Sequence, residues 1–311
     1  MRAAGVRRFS GSVEVLELPG PRALRPDEVL IDVRACGVGN WDEFARTGDW
    51  DLGARPPMAL GVEAAGLVAA VGDQVAGVKA GDRVTAHSVP LREEGAWAEQ
   101  HVAASGHVAI LAAAVPFDAA AALPVPALTA DQAIGDALEV RAGQTVLVHG
   151  AGGVTGGMLV QLAAHRGATV IATAGADSAG RVAAMGASTV LDYHRPDLAR
   201  AGAPADRRRR RCGGQRGTRG LRRGGAGGAG QRPTGHDHRG PAGRRKGHHH
   251  AGGAGRPRGR RLGALVQLLA QGVLTVSVGD RFPLERAAAA LAHARHGAHG
   301  SAIVLRTGNP G

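Results

Sequence analysis

The first third of the chain is built of short apolar-rich runs broken by turn formers, and a change to helical patterning marks its middle. Runs at 13–16, 28–34 (E-V-L-I-D-V-R), 66–71, 82–85 and 95–102 read as half-buried strands. Pro19, Gly20, Pro21, Gly72-Asp73, Gly81-Asp82 and Gly106 separate them at the spacing of a small β-barrel. From Asp118 the pattern turns helical, which predicts a helix over 127–137 and a domain boundary near residue 125. Farther on it predicts a helix over 262–271, a strand over 273–278, a capped helix over 282–295 and a final strand over 301–306.

Between these regions lies T-V-L-V-H-G-A-G-G-V-T-G-G, residues 145–157, where a buried parallel strand feeds a glycine cluster that opens an apolar helix. A pyrophosphate needs bare backbone N–H groups at a helix N-terminus, and glycines allow that approach. Gly150, Gly153 and Gly156 are spaced G-x-x-G-x-x-G, Gly152 adds a fourth glycine, and Val154 and Thr155 begin the helix. A helix continues through 158–164, Gly167 is placed to end it, and 168–172 reads as the next buried strand, which completes a β-turn-α-β unit. That second strand runs out as Thr173-Ala174-Gly175-Ala176 with no acid at its tip. An acid there would bond a free ribose 2'-hydroxyl and repel a 2'-phosphate, so the sequence favours NADP(H). Asp177, Ser178 and Arg181 follow; Arg181 reads either as a phosphate partner or as a solvated helix charge.

The 311 residues predict about two domains, and 44% hydrophobic content is ample for their cores. No run is long and apolar enough for a membrane span, and the N-terminus lacks the core of a signal peptide, so a cytoplasmic protein is expected. Two cysteines, Cys36 and Cys212, make no disulfide framework, and Cys36 is expected as a free buried thiol. The net charge of +12 is concentrated: residues 207–261 hold 17 Arg and one Lys against the single acid Asp237, leaving the remainder mildly acidic. An acidic enzyme body and an intensely basic segment need separate explanations.

With V-L-I-D-V-R-A-C-G-V-G-N-W-D, L-G-V-E-A-A-G-L-V-A-A-V-G, V-K-A-G-D-R-V, V-H-G-A-G-G-V-T-G, M-G-A-S-T-V-L-D-Y and F-P-L-E-R-A-A in order, the chain resembles the medium-chain dehydrogenase/reductase superfamily, in its zinc-independent quinone oxidoreductase and enoyl reductase branch. The match covers 1–204 and 262–311. The resemblance implies an α/β protein: a GroES-like barrel of residues 1–125, completed by 279–311, and a Rossmann doubly wound parallel sheet over 126–278. It implies hydride transfer from NADPH to a quinone or an α,β-unsaturated carbonyl. Zinc-dependent relatives hold Cys and His at the positions of Gly39 and Val62, and no C-x-x-C occurs, so no metal is expected. The same resemblance places Thr129 and Tyr193 beside the cofactor and puts a family lysine at Ser178. A tyrosine donor of some relatives falls at Phe44, which has no proton to give; Asn40 and Asp42 remain as candidates, Asp42 equally as a helix-capping acid. Trp41, Phe44 and Trp50 read either as an apolar substrate pocket or as core. Relatives are commonly dimers, so a homodimer is an expectation of the resemblance.

Where the fourth and fifth Rossmann strands should stand, 207–261 reads as arginine and glycine with Leu221 its only large aliphatic residue. Such a segment cannot bury enough apolar surface to offset its ordering entropy and is expected to be irregular. Three explanations compete: a nucleic-acid-binding arm on a catalytically impaired reductase scaffold, an inert linker, or translation out of frame from a GC-rich gene. The third is favoured. Back-translating 231–241 (Q-R-P-T-G-H-D-H-R-G-P) one base forward permits S-A-R-L-A-T-I-T-G-D-P, a strand and loop of the family's kind, and shifting 207–211 permits Val, Ala, Asp or Gly codons.

Overall fold

Residues 28–38 set the architecture, because Val29, Ile31 and Val33 are buried while Leu30, Asp32 and Arg34 alternate toward partial exposure, and the strand they form anchors the larger sheet. The computed structural model describes residues 1–196 and 258–308, together with the backbone of 210–213. The N-terminal strands are β1 (Arg2–Val6), β2 (Glu14–Glu17), β3 (Glu28–Val38), β4 (Met58–Ala59), β5 (Glu63–Val71), β6 (Arg83–His87), β7 (Gln100–Ala104) and β8 (Val108–Ile110). β2-β1-β4 form a small sheet, while β3, β5, β6 and β8 follow one another in a larger one with β7 also on β3. Two C-terminal strands, β13 (Val278–Pro283) and β14 (Ala302–Arg306), extend that larger sheet, with Leu305 opposite Cys36 in an antiparallel ladder. Cys36 is a free, fully buried thiol whose pKa burial raises.

The second layer system is a parallel sheet in the order β11-β10-β9-β12, from Thr189–Asp192, Thr169–Ala174, Thr145–His149 and Arg210–Gly213. α4 (Val154–His165) connects β9 to β10, and α5 (Ala176–Ala184) connects β10 to β11, each a βαβ crossover. Gly156 to Ala163 are all buried, as expected of a helix enclosed on every side. After α2 (Phe117–Ala121), α3 (Pro124–Asp131), which passes into a π-helical turn at Gln132–Ala137, and α6 (Arg258–Ala270) pack with α4 around one core that includes Leu128, Ile134, Val146, Leu159 and Leu262. A second core fills the barrel around Ile31, Leu60, Trp97 and Leu291. All described residues belong to one compact unit. No helix among them is long and apolar enough to cross a membrane.

Four expectations are corrected. The 273–278 strand is absent: Leu274 turns into the core, and the Gln161 amide takes over Thr275, its Oε1 accepting the backbone N–H at 2.8 Å and the hydroxyl at 3.1 Å. With the Thr275 backbone taken by a side chain, the segment reaches the ladder only at its end, where the Ser277 carbonyl accepts the Ala302 N–H at 2.7 Å and the strand begins at Val278. The capped helix over 282–295 divides, because Phe282 and Pro283 complete β13 against Leu305 and Arg306; a 3-10 turn at Leu284–Arg286 precedes α7 (Ala287–His296), which has no side-chain cap. The strand begins at Gln100 rather than at 95, since Gly95 lies so close to the carbonyls of Ala59 and Leu60 that only glycine fits. Lastly, the basic segment is regular at both ends. β12 pairs in parallel with β9, Arg210 opposite Val146 and Arg211 opposite Leu147. α6 starts four residues before 262: Gly259 packs against the carbonyls of Gly106 and Val108, and Arg261 pairs with Asp131 at 3.3 Å and Asp136 at 2.8 Å. Residues 197–209 and 214–257, with Leu221 and the histidine run 248–250, lie outside the described residues.

Candidate functional site

The carboxyl ends of β9, β10 and β11 gather the predicted nucleotide residues at the edge where open α/β sheets take their ligands. Gly150 has φ +76°, a left-handed conformation natural to glycine, and turns the chain out of β9. Gly156 serves contact: a Cβ there would lie 2.2 Å from the Gly150 carbonyl oxygen and 2.8 Å from Ala151 Cα. At Gly152 the obstacle is the Ser178 hydroxyl, 2.6 Å away. Gly153 is different, with nothing nearer than 3.6 Å, and it heads α4 without a side-chain cap. The amides of Val154, Thr155 and Gly156 form the first turn of α4, at the positive end of the helix dipole, where a Cβ on Gly153 would make only an ordinary contact with the Gly150 carbonyl.

Thr173, at 2% exposure, anchors this turn: its hydroxyl accepts the Gly150 N–H at 3.1 Å and its carbonyl accepts the Ala151 N–H at 2.9 Å. His149 Nδ1 lies 2.8 Å from the same hydroxyl. Neither residue stood out as a site residue in the sequence, although both flank the motif. Ser178 heads α5 beside Gly152, with its hydroxyl donating to the Gly175 carbonyl at 3.1 Å. Tyr193, 40% exposed, presents its ring to Gly175. Arg181 lies next to the turn with its guanidinium engaged: it donates to the carbonyls of Gly152 (3.0 Å), Gly300 (3.2 Å) and His299 (3.3 Å), tying the glycine turn to the approach of β14. It is therefore not the solvated helix charge allowed as one reading. Thr129 stands exposed on α3.

In the barrel, α1 (Trp41–Thr47) carries the other candidates. Asn40 is its exposed N-cap residue and makes no side-chain capping bond. Asp42 is fully buried; its Oδ2 accepts the Gly39 N–H at 2.9 Å and its Oδ1 has no partner among the described residues. Burial pushes this carboxyl from 3.8 up to about 8. Glu63 is likewise buried and raised, chiefly by burial and further by Asp42, while the Val125 N–H it accepts at 2.8 Å opposes the shift. The sign of the Asp42 shift fixes a pH dependence. From about pH 4 to about pH 8 the unfolded chain has lost this proton and the folded chain holds it, so stability falls as pH rises across that window. Asp42→Asn, which cannot titrate, is expected to flatten the slope by about 1.4 kcal/mol per pH unit. Thermal unfolding followed across the window checks this; parallel slopes for parent and variant would contradict it.

Trp41 and Trp50 pack partly buried on the barrel core, while Phe44 is 54% exposed. Trp41 folds back on Gly39 so closely that a Cβ there would fall 2.3 Å from its indole ring. Its Nε1–H is buried without a partner among the described residues.

Residues 25–127 match the alcohol dehydrogenase GroES-like domain. The chain is 38% identical over 201 residues to a quinone oxidoreductase of Lama guanicoe, covering 64% of this chain and 60% of that one. It is 37% identical over 183 residues to a quinone oxidoreductase of Mus musculus (57% and 53% covered), and 36% identical over 179 residues to a synaptic vesicle membrane protein VAT-1 homolog of Danio rerio (57% and 36%). The alignments thus span at most three-fifths of these relatives' lengths. Among solved structures it resembles the quinone oxidoreductase from Coxiella burnetii, with TM-score 0.74, 21% identity and 99% of each chain covered. A mycobacterial protein complexed with NADPH gives 0.72 and 23%, covering 99% of this chain and 100% of that one. At these identities the structural likeness speaks for the fold.

Proposed function

We propose that the chain, with its GroES-like domain and its similarity to quinone oxidoreductases, is an NADPH-dependent reductase of the medium-chain dehydrogenase/reductase superfamily that passes hydride to a quinone or an α,β-unsaturated carbonyl without zinc. The observation that carries this reading is the glycine turn at the head of α4: Gly150 reverses the chain, Gly156 lets the turn close on the helix, and Gly153 begins the helix with no side chain over its first amides. The bound cofactor supplies the hydride; the protein supplies position and field. Val154, Thr155 and Gly156 would hold the phosphates through backbone amides. The acid-free tip of β10 and the nearness of Ser178 and Arg181 to Gly152 support a phosphorylated ribose. Tyr193 would flank the adenosine, and Thr129 keeps the place the family resemblance gives it.

Zinc independence draws support from Gly39. A cysteine at that position would have to displace the Trp41 ring, and Val62, at the position of the histidine, is buried and apolar. The reading as a whole is tested by following NADPH oxidation at its absorbance band with 1,4-benzoquinone and with an enone. Turnover of either, preferring NADPH over NADH, supports it; a chain that binds neither dinucleotide refutes it.

A further inference from the structure

We propose that His149 is a dinucleotide-binding residue whose donor is fixed in place by Thr173; the inference rests on the nicotinamide-dinucleotide reading above. A threonine hydroxyl has one proton and two lone pairs. The Thr173 oxygen accepts the Gly150 N–H at 3.1 Å and sits 2.8 Å from His149 Nδ1. If Nδ1 carried the ring proton, the hydroxyl would accept twice and leave its own proton buried without a partner, since Thr173 is 2% exposed. The arrangement that satisfies every group has the hydroxyl donating to Nδ1, which places the imidazole proton on Nε2. Nε2 lies across the ring from Thr173. His149 is the last residue of β9, is exposed, and immediately precedes the turn residue Gly150.

The Nε2–H therefore stands at the carboxyl end of the parallel sheet, beside the turn that would carry the pyrophosphate, where a dinucleotide presents phosphate and ribose oxygens as acceptors. One hydroxyl has two tasks: it holds the first amide of the glycine turn and turns an exposed imidazole into a donor. Thr173 acts on the ligand through Gly150 and His149 and is a positioning residue.

The experiment uses the full chain, with ring nitrogen-15 shifts read at a pH where imidazole is neutral and His149 assigned by its loss in the His149→Asn spectrum. NADPH affinity is followed by fluorescence. Asn can keep a polar atom near Nδ1 but lacks a donor at Nε2, whereas Gln can place one there. The expected results are an Nε2–H tautomer, NADPH binding weakened about tenfold in Thr173→Val and His149→Asn, and affinity kept within about twofold in Thr173→Ser and His149→Gln. An Nδ1–H tautomer in the parent, or equal NADPH affinity in the parent, Thr173→Val and His149→Asn, overturns the inference alone. A parent that does not saturate with NADPH overturns the functional reading and this inference with it. The tautomer, measured without ligand, distinguishes the two failures.

Discussion

Gly156→Ala is expected to abolish saturable NADPH binding and to lower stability by about 1–3 kcal/mol, the usual cost of forcing atoms into a filled site. The added methyl would meet the Gly150 carbonyl oxygen at 2.2 Å and Ala151 Cα at 2.8 Å, both backbone atoms that cannot rotate away. Either α4 slides or the turn opens, and each displaces the amides meant for the pyrophosphate. Gly153→Ala provides the contrast. Gly153 is extended at φ −82°, ψ 165°, a conformation alanine adopts freely, and its nearest neighbour is 3.6 Å away. It should unfold within about 0.5 kcal/mol of the parent, yet bind NADPH more weakly because its methyl enters the space left for the ligand. Calorimetric unfolding and NADPH titration of both variants separate the two roles. Normal NADPH affinity in Gly156→Ala would detach the turn from the cofactor.

The second large effect concerns the arginine-rich segment. Restoring the family-like reading frame across 207–258 is expected to raise NADPH oxidation with quinone by roughly 100-fold or more, the scale of loss when reacting groups are misplaced by about 1 Å. β12 occupies the fourth position of a parallel sheet, where strands covered on both faces read as near-continuous apolar runs, yet Arg210 and Arg211 stand opposite Val146 and Leu147. At the other end, Gly259 fits against two carbonyls that exclude a side chain, and Arg261 completes ion pairs with Asp131 and Asp136. Sequence suited to the fold therefore resumes by residue 259, three positions earlier than the sequence pattern alone indicates. Gene sequencing is expected to find compensating single-base shifts, the second upstream of codon 259. An uninterrupted frame, or equal activity of both forms, would refute the account of this segment.

What the sequence made legible was whatever depends on local pattern. Alternation around Val29, Ile31 and Val33 marked β3, and the apolar run into Gly150 marked the nucleotide turn. What it hid depends on side chains meeting across long separations. Gln161 takes the backbone of Thr275, 114 residues away, and so removes a strand that local pattern predicted. Phe282 and Pro283 read as a helix start but are drawn into the ladder with β14. In the site, the glycines were visible because their spacing is local; Thr173 and His149 were not, because their importance is a hydrogen bond between adjacent strands. The chemistry of Asp42 was half visible: a carboxyl at that position was plain, but its burial, and hence its pKa near 8, follows only from the packing around it.

The central claim is that the glycine turn between β9 and α4 holds a reduced nicotinamide dinucleotide. Fluorescence titration of the full chain with NADPH tests it most directly. The account predicts saturable binding that Gly156→Ala eliminates; no saturation by the parent chain would contradict it.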